Sequence, residues 1–192
     1  MASDAGAPSY VRSEMIMQPS YFIERNMRQI GFCGAFAVEV HRLIEHAPLI
    51  EDFTIAEITE LGEFMPVFEA PQGTCIIGEG EAGDFMILLI TGSIDVVRRD
   101  RHGHPSRIAV VQGGHSLGEM SMIDGEPRFA SCITLEQSRF AVLSREALTQ
   151  VIRTRPHLGA RILVKLVHIL AQRLRNTTTK LVAIQDSRSD AS

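Results

Sequence analysis

Gly118 and Glu119, followed by an arginine at 128, are the residues of this chain whose types and spacing best suit chemistry. Gly118 permits a tight turn at the head of a short helical stretch. The backbone N–H groups of Glu119, Met120 and Ser121 would then lack partners and favour an anion. Arg128 follows a Gly-Glu-Pro turn and can fold back over the same spot, offering charge-assisted bonds to a phosphate. Ser131 and the backbone around Ala130 add donors. Glu119 is the odd member, because a carboxylate beside a phosphate is repulsive unless it has another task. A sugar hydroxyl supplies one, since ionised Glu only accepts. Phosphate and ribose together imply a nucleotide. The plainer alternative is a structural Glu119–Arg128 pair in a pocket that holds nothing.

Other chemistry is weakly signalled. No Ser-His-Asp or Cys-His arrangement is local in the sequence, and no Walker loop is present. Glu119 and Glu126 form no credible acid–base pair, because Arg128 would keep both ionised. His102 and His104 form an H-x-H, as in metal-binding cupin barrels, but no suitably spaced Glu or distal His completes a set. A solvated hairpin tip is the expected setting. Neither a catalytic residue nor a metal site is expected.

The elements that position these residues follow from length and texture. The 192 residues fit one domain with extensions. The net charge of −4 lacks the basic excess of a nucleic-acid binder. Cys33, Cys75 and Cys132 are odd in number and far apart, which suits a reducing compartment without disulfides. Neither a signal peptide nor a membrane span is expected, so the setting is cytoplasmic. Residues 1–19 are expected to be disordered, and 20–46 to form a helical extension. There Ile23, Met27 and Ile30 share one helical face with Gly31 as a stop, and Phe36, Val40, Leu43 and Ile44 share another before Pro48. Thr54 and Glu57 form a capping box for a helix burying Ile55, Ile58 and Leu61.

From about 66 to 143, apolar runs alternate with Gly-containing breaks: TCII, FMILLI, SIDVV, RIAVV, SCITL and RFAVL. That texture predicts an α+β fold built on an eight-stranded antiparallel jelly-roll barrel, with N-terminal helices and a long C-terminal helix. The barrel and its flanking helices occupy 47–155, and GEMSMIDGEPR interrupts the sheet. Ser144 caps a helix burying Leu148 and Ile152. Pro156 opens the long helix, 156–186, with a tail at 187–192. This helix carries two stripes. Leu158, Ile162, Leu166 and Ile169 suit the barrel. Leu163, Val167, Leu170, Leu174, Thr177, Leu181 and Ile184 keep the 4-3 spacing of a coiled-coil seam, so a homodimer through 163–184 is expected.

The segment GEMSMIDGEPRFAS resembles the phosphate-binding cassette of the cyclic-nucleotide-binding superfamily, matching at Gly118, Glu119, Met120, Pro127, Arg128, Ala130 and Ser131. Gly73, Gly83, Gly92 and Gly114 fit the spacing of that superfamily, and the resemblance runs from about 47 through the long helix. It implies that Glu119 accepts from the ribose 2′-OH and Arg128 binds the equatorial phosphate oxygen, with Met120, Val96 and Ile108 along the pocket wall. In the catabolite-activator branch a Thr-Ser pair late in the long helix reads adenine. Thr177 and Thr178 stand there, just after Arg173. These three can equally be polar seam positions or a surface charge. Ser121 replaces the usual Ala or Gly, and Phe129 the usual Ala, Ser or Thr. Without a hydroxyl at 129 the case for cGMP weakens, so cAMP is favoured. Phe129 can also crowd the site or stack on the ligand.

The resemblance implies a non-enzymatic sensor that passes a helix rearrangement to an unidentified protein effector. The polar stretch after the long helix offers no helix-turn-helix, so sequence-specific DNA binding is not expected. Two other readings remain open: a scaffold with a degenerate pocket, motivated by Phe129, and a cupin-like metal barrel, motivated by H-x-H.

Overall fold

The structure, a computed structural model, describes residues 19–189; the side chains at 19, 20, 44, 184 and 187–189 lie outside that description. The disorder expected for 1–19 falls, up to residue 18, outside the described residues, as do 190–192 of the expected tail.

Among the described residues, nine strands form two antiparallel sheets. The five-stranded sheet has the order β1 (Arg28–Phe32), β2 (Pro66–Ala70), β9 (Ser138–Ser144), β4 (Phe85–Thr91), β7 (Ser116–Leu117). The four-stranded sheet runs β3 (Cys75–Ile77), β8 (Ser131–Thr134), β5 (Ser93–Arg99), β6 (Pro105–Gln112). This is the expected jelly-roll-like α+β architecture with one strand more.

The two sheets differ in what covers them, and the sequence shows why. Ile87 and Leu89 of β4 and Phe140 and Val142 of β9 meet Ile76, Ile77, Ile94 and Cys132 of the other sheet in one apolar cluster. Met86, Leu88, Ile90, Ala141 and Leu143 face the opposite way, into a second cluster with the helices. Central strands buried on both faces read as unbroken apolar runs rather than alternating ones, which accounts for FMILLI. Strand β6 is exposed on both faces over residues 105–110, and β5 is exposed only at Arg98 and Arg99.

The N-terminal extension departs from expectation. In place of a helix carrying Ile23, Met27 and Ile30, a five-residue helix α1 (Pro19–Ile23) gives way to a turn in which Asn26, with φ of +60°, leads the chain into β1. Strand β1 pairs with β2, Arg28 opposite Glu69 and Phe32 opposite Pro66. Pairing at an open sheet edge outweighs the weak preference of a short apolar repeat for helix. The second expected helix shrinks to α2 (Ala37–His41) between 3-10 turns at Cys33–Phe36 and Ile44–His46.

Helix α3 (Ile55–Gly62) has the full Thr54–Glu57 capping box and buries Ile58 and Leu61, but Ile55 is exposed. Ser144 caps α5 (Arg145–Thr154) by accepting the Ala147 N–H at 3.0 Å. There Leu148 and Val151 are buried, and Ile152 is not. Helix α6 (Pro156–Ser189) is about 51 Å long at 1.5 Å per residue. Its stripe of Leu158, Ile162, Leu166 and Ile169 is buried, while Leu163, Val167, Leu174 and Leu181 are exposed. No helix among the described residues is long and apolar enough to cross a membrane.

Charged contacts seat α6 beside α3. Arg161 pairs with Glu57 and donates to the Asp52 carbonyl at 2.6 Å, and Lys165 reaches Asp52 and, at 2.6 Å, Glu51. The hydrogen bond from Lys165 holds Asp52 below its ordinary range, and the Thr54 backbone N–H does the same for Glu57. Carboxyls depressed in the folded state stabilise it above their unfolded pKa of about 4 and lose that contribution as pH falls through the folded values. Thermal unfolding followed against pH should therefore give a Tm that falls below about pH 4. Lys165→Met should lower the neutral-pH Tm and shrink the acid-sensitive part.

Candidate ligand-binding site

The site grows from the connection between β7 and β8. Gly118 adopts φ +84°, in the left-handed region, and opens the short helix α4 (Glu119–Asp124). The N–H groups of its first turn have no intrahelical acceptors. Glu119, Ser121 and Met122 face inward, and Met120 faces out.

Arg128 is held at both ends. Its N–H donates to the Glu81 carbonyl and its own carbonyl accepts from Gly80, each at 2.8 Å. The side chain is 3% exposed. Nη1 donates to the Gly118 carbonyl at 2.9 Å, and the guanidinium lies 4.3 Å from the centroid of the Phe85 ring. Nη2 is buried without a hydrogen-bond partner. Burial pushes the Arg128 pKa down, against the pull of Asp84, Glu81 and Glu119 nearby. The slot exists because residue 83 is glycine: a Cβ there would fall 2.0 Å from Arg128 Nε.

Glu119 is fully buried, at 0% exposure. Arg173 of α6 holds its Oε1 and also donates to the Ser116 carbonyl at 2.6 Å, while Oε2 is buried without a partner. A guanidinium with one nitrogen lacking an acceptor and a carboxylate with one oxygen lacking a donor thus flank the start of α4. Such atoms cost about 1–3 kcal/mol each when left unpaired, so the arrangement suits a ligand bringing an anion and a hydroxyl.

The remaining sequence candidates are more dispersed. Ala130 is buried, and the Ser131 hydroxyl accepts the Glu79 N–H at 2.9 Å, bracing the 78–84 loop. Phe129 is 52% exposed and carries the Arg98 guanidinium 3.9 Å from its ring centroid. Val96 packs against the inter-sheet cluster, but Ile108 lies exposed on β6. Thr177 and Thr178 are exposed, with hydroxyls turned back to the carbonyls of Arg173 (2.8 Å) and Leu174 (2.9 Å). His102 and His104 sit at the exposed β5–β6 turn, and among the described residues no group of three His, Cys, Asp or Glu could hold a metal ion.

Several site residues carried no sequence signal. Arg145, the first residue of α5, donates to the carbonyls of Met122 (2.6 Å) and Ser121 (3.0 Å), closing the open end of α4. Its N–H also bonds the Asp84 carbonyl at 2.7 Å. Phe85 and Glu81 support Arg128 as described. Their partners are backbone groups or distant residues, which no local motif encodes.

Comparison with known proteins places this geometry. The model of the cyclic nucleotide-binding domain matches residues 67–155. A crystal structure of a cyclic nucleotide-binding domain from Methylobacillus flagellatus KT is 32% identical, covers 86% of this chain and 92% of that one, and superposes with a TM-score of 0.75. The chain belongs to the cyclic-nucleotide-binding domain family. It is 31% identical over 132 residues to the CRP-like cAMP-activated global transcriptional regulator of Mycobacterium tuberculosis, covering 69% of this chain and 56% of that protein. It is also 31% identical over 111 residues to the cyclic AMP receptor protein of Thermus thermophilus, covering 58% and 50%. The chain spans about half the length of these curated relatives.

In this cyclic-nucleotide-binding domain Phe129 is exposed and carries the Arg98 guanidinium. The inner slot is set by Gly83, which gives a sharp test. Gly83→Ala should displace the Arg128 guanidinium while leaving the fold intact. Calorimetric affinity for cyclic nucleotide should fall by tenfold or more, about 1.4 kcal/mol, with little change in ligand-free Tm. Unchanged affinity would show that the slot tolerates a methyl group.

Proposed function

We propose that this chain is a cAMP-sensing regulatory module. The observation that carries the reading is the pair of buried, unpartnered atoms, Arg128 Nη2 and Glu119 Oε2, at the two sides of the α4 N-terminus. Arg128 takes an equatorial phosphate oxygen, the first-turn N–H groups of α4 take another, and Glu119 Oε2 accepts the ribose 2′-OH. The names of the Mycobacterium and Thermus relatives specify cAMP for those proteins. Phe129, without a hydroxyl, favours the same nucleotide over cGMP. Thr177 and Thr178 are assigned to the adenine.

Transmission follows from what the site residues touch. Arg173 links the Glu119 carboxylate to α6, and Arg145 links the end of α4 to α5. A ligand that seats α4 differently shifts both helices, to the extent that its affinity differs between the two arrangements. The exposed stripe of Leu163, Val167, Leu174 and Leu181 is assigned to a second copy of the chain, and the helix movement to a protein effector.

Isothermal titration with cAMP and cGMP tests the reading. A saturable heat with cAMP, weaker with cGMP and abolished by Arg128→Ala, is expected. At a hundredfold excess over Kd, cAMP should add about 2.7 kcal/mol of stability. No heat with either nucleotide would favour a ligand-free interaction scaffold instead. Light scattering should give a dimer, and Leu174→Asp, at a position 69% exposed in the single chain, should give a monomer with the same secondary structure by circular dichroism.

A further inference from the structure

We infer that the N-terminal segment Tyr21–Arg25 is a clamp that positions Arg128 for phosphate, with Tyr21 and Arg25 as positioning residues that do not touch the ligand. The inference rests on the reading of the site as a cyclic-nucleotide pocket. It concerns residues outside 67–155, the stretch matched by the family.

Two routes run from the segment to Arg128. The first passes through Glu81. Arg25 donates to Glu81 Oε1 at 2.6 Å and the Tyr21 hydroxyl to Oε2 at 2.9 Å, so both carboxylate oxygens are engaged by α1 and the turn after it. The Glu81 carbonyl in turn accepts the Arg128 N–H at 2.8 Å. The second passes through Phe85. Tyr21 packs edge-on against Phe85, ring centroids 5.4 Å apart, and Phe85 carries the Arg128 guanidinium. Arg25 also lies 3.8 Å from the Tyr21 ring centroid, locking the two side chains together. Beneath them Phe22 is fully buried, 4.4 Å from Phe68 and 5.0 Å from Phe85 by ring centroids, which fixes the segment between the sheets. The backbone and the guanidinium of Arg128 are therefore both steadied from the N-terminal side.

The arrangement suits positioning better than bulk stability. Phe22 supplies the burial. The Glu81 contacts are half-exposed ion pairing, which contributes little to folding. Their geometric effect falls on the 78–84 loop, where Gly80 and Glu81 bracket Arg128.

The test is cAMP titration by calorimetry on the full chain, with ligand-free Tm measured for each variant. Arg25→Met keeps the stem but cannot donate to Glu81, and should weaken binding about threefold to tenfold, the size of an ordinary net hydrogen bond, because the effect on the ligand is indirect. Arg25→Lys should restore affinity to within about twofold. Tyr21→Phe keeps the ring and the packing on Phe85, and should weaken binding about threefold. Arg28→Met removes the Arg28–Glu69 pair, 2.8 Å, on β1 just after the segment and unconnected to the loop, and should leave affinity unchanged. Arg25→Met and Tyr21→Phe binding as tightly as the parent would overturn the clamp while the cAMP reading stands. So would equal losses from Arg28→Met. A parent chain that binds no cyclic nucleotide would overturn the reading and the clamp with it.

Discussion

The guanidinium of Arg128 is buried with one nitrogen unserved, and the rest of the structure accommodates that fact. Taking an arginine out of water is costly unless its donors and charge are answered. Here the answer is partial. The Gly118 carbonyl takes Nη1, the Phe85 ring faces the cation, and Gly83 leaves the space in which it lies. Among the described residues nothing takes Nη2. Two backbone hydrogen bonds to the 78–84 loop hold the residue in this unfavourable place. Proteins concentrate such unmet demand where a ligand will meet it.

Holding a buried, partly unpaired cation in place requires a stiff frame, and the five-stranded sheet provides it. Its two central strands, β4 and β9, are covered on both faces, one by the opposite sheet and the other by the helices. Phe85 begins β4, and Ser144, paired opposite it, ends β9 and caps α5. The residue after Ser144 is Arg145, which grips the end of α4. One pair of strand ends therefore sets the ring beneath Arg128 and the arginine that seats the cassette helix. A rigid strand pair suits this task better than a loop, because binding groups lose effect with small misplacements.

What was legible in the sequence was what is local. Gly118, Glu119 and Arg128 lie within eleven consecutive residues, so their joint chemistry shows without a structure. The caps at Thr54 and Ser144 and the inner stripe of α6 are likewise short-range signals, and the structure has them where they were expected. Long-range pairings left no such trace. Strand β1 was hidden because Ile23, Met27 and Ile30 happen to fall at helical spacing, while its true partner, β2, lies some forty residues on. Ile55 and Ile152 fitted their helical faces yet stand at the margins, where Ile58 and Val151 take the buried places. Glu81 meets Tyr21 and Arg25 across 60 and 56 residues. Arg145 acts on backbone carbonyls, which carry no residue identity to read. Ile108 faces solvent because β6 is an edge strand exposed on both faces from 105 to 110.

The two unmet atoms also define the ligand by exclusion. Arg128 and Glu119 are opposite charges near one chain turn, and direct pairing would satisfy both. Instead Arg128 bonds the Gly118 carbonyl and Glu119 bonds Arg173, leaving Nη2 and Oε2 separately open. A bare phosphate would answer Arg128 but bring negative charge towards Glu119 and leave its oxygen without a donor. A nucleoside would give Glu119 its hydroxyl and leave the arginine uncompensated. A molecule in which a charged phosphate and a sugar hydroxyl are held a fixed, short distance apart answers both at once, and a cyclic phosphate fixes that distance in the covalent ring. Because Glu119 already shares its carboxylate with Arg173, the hydroxyl that arrives at Oε2 acts on the same group that tethers α6. On the proposed reading, recognition of the sugar and control of the helix converge on a single buried side chain.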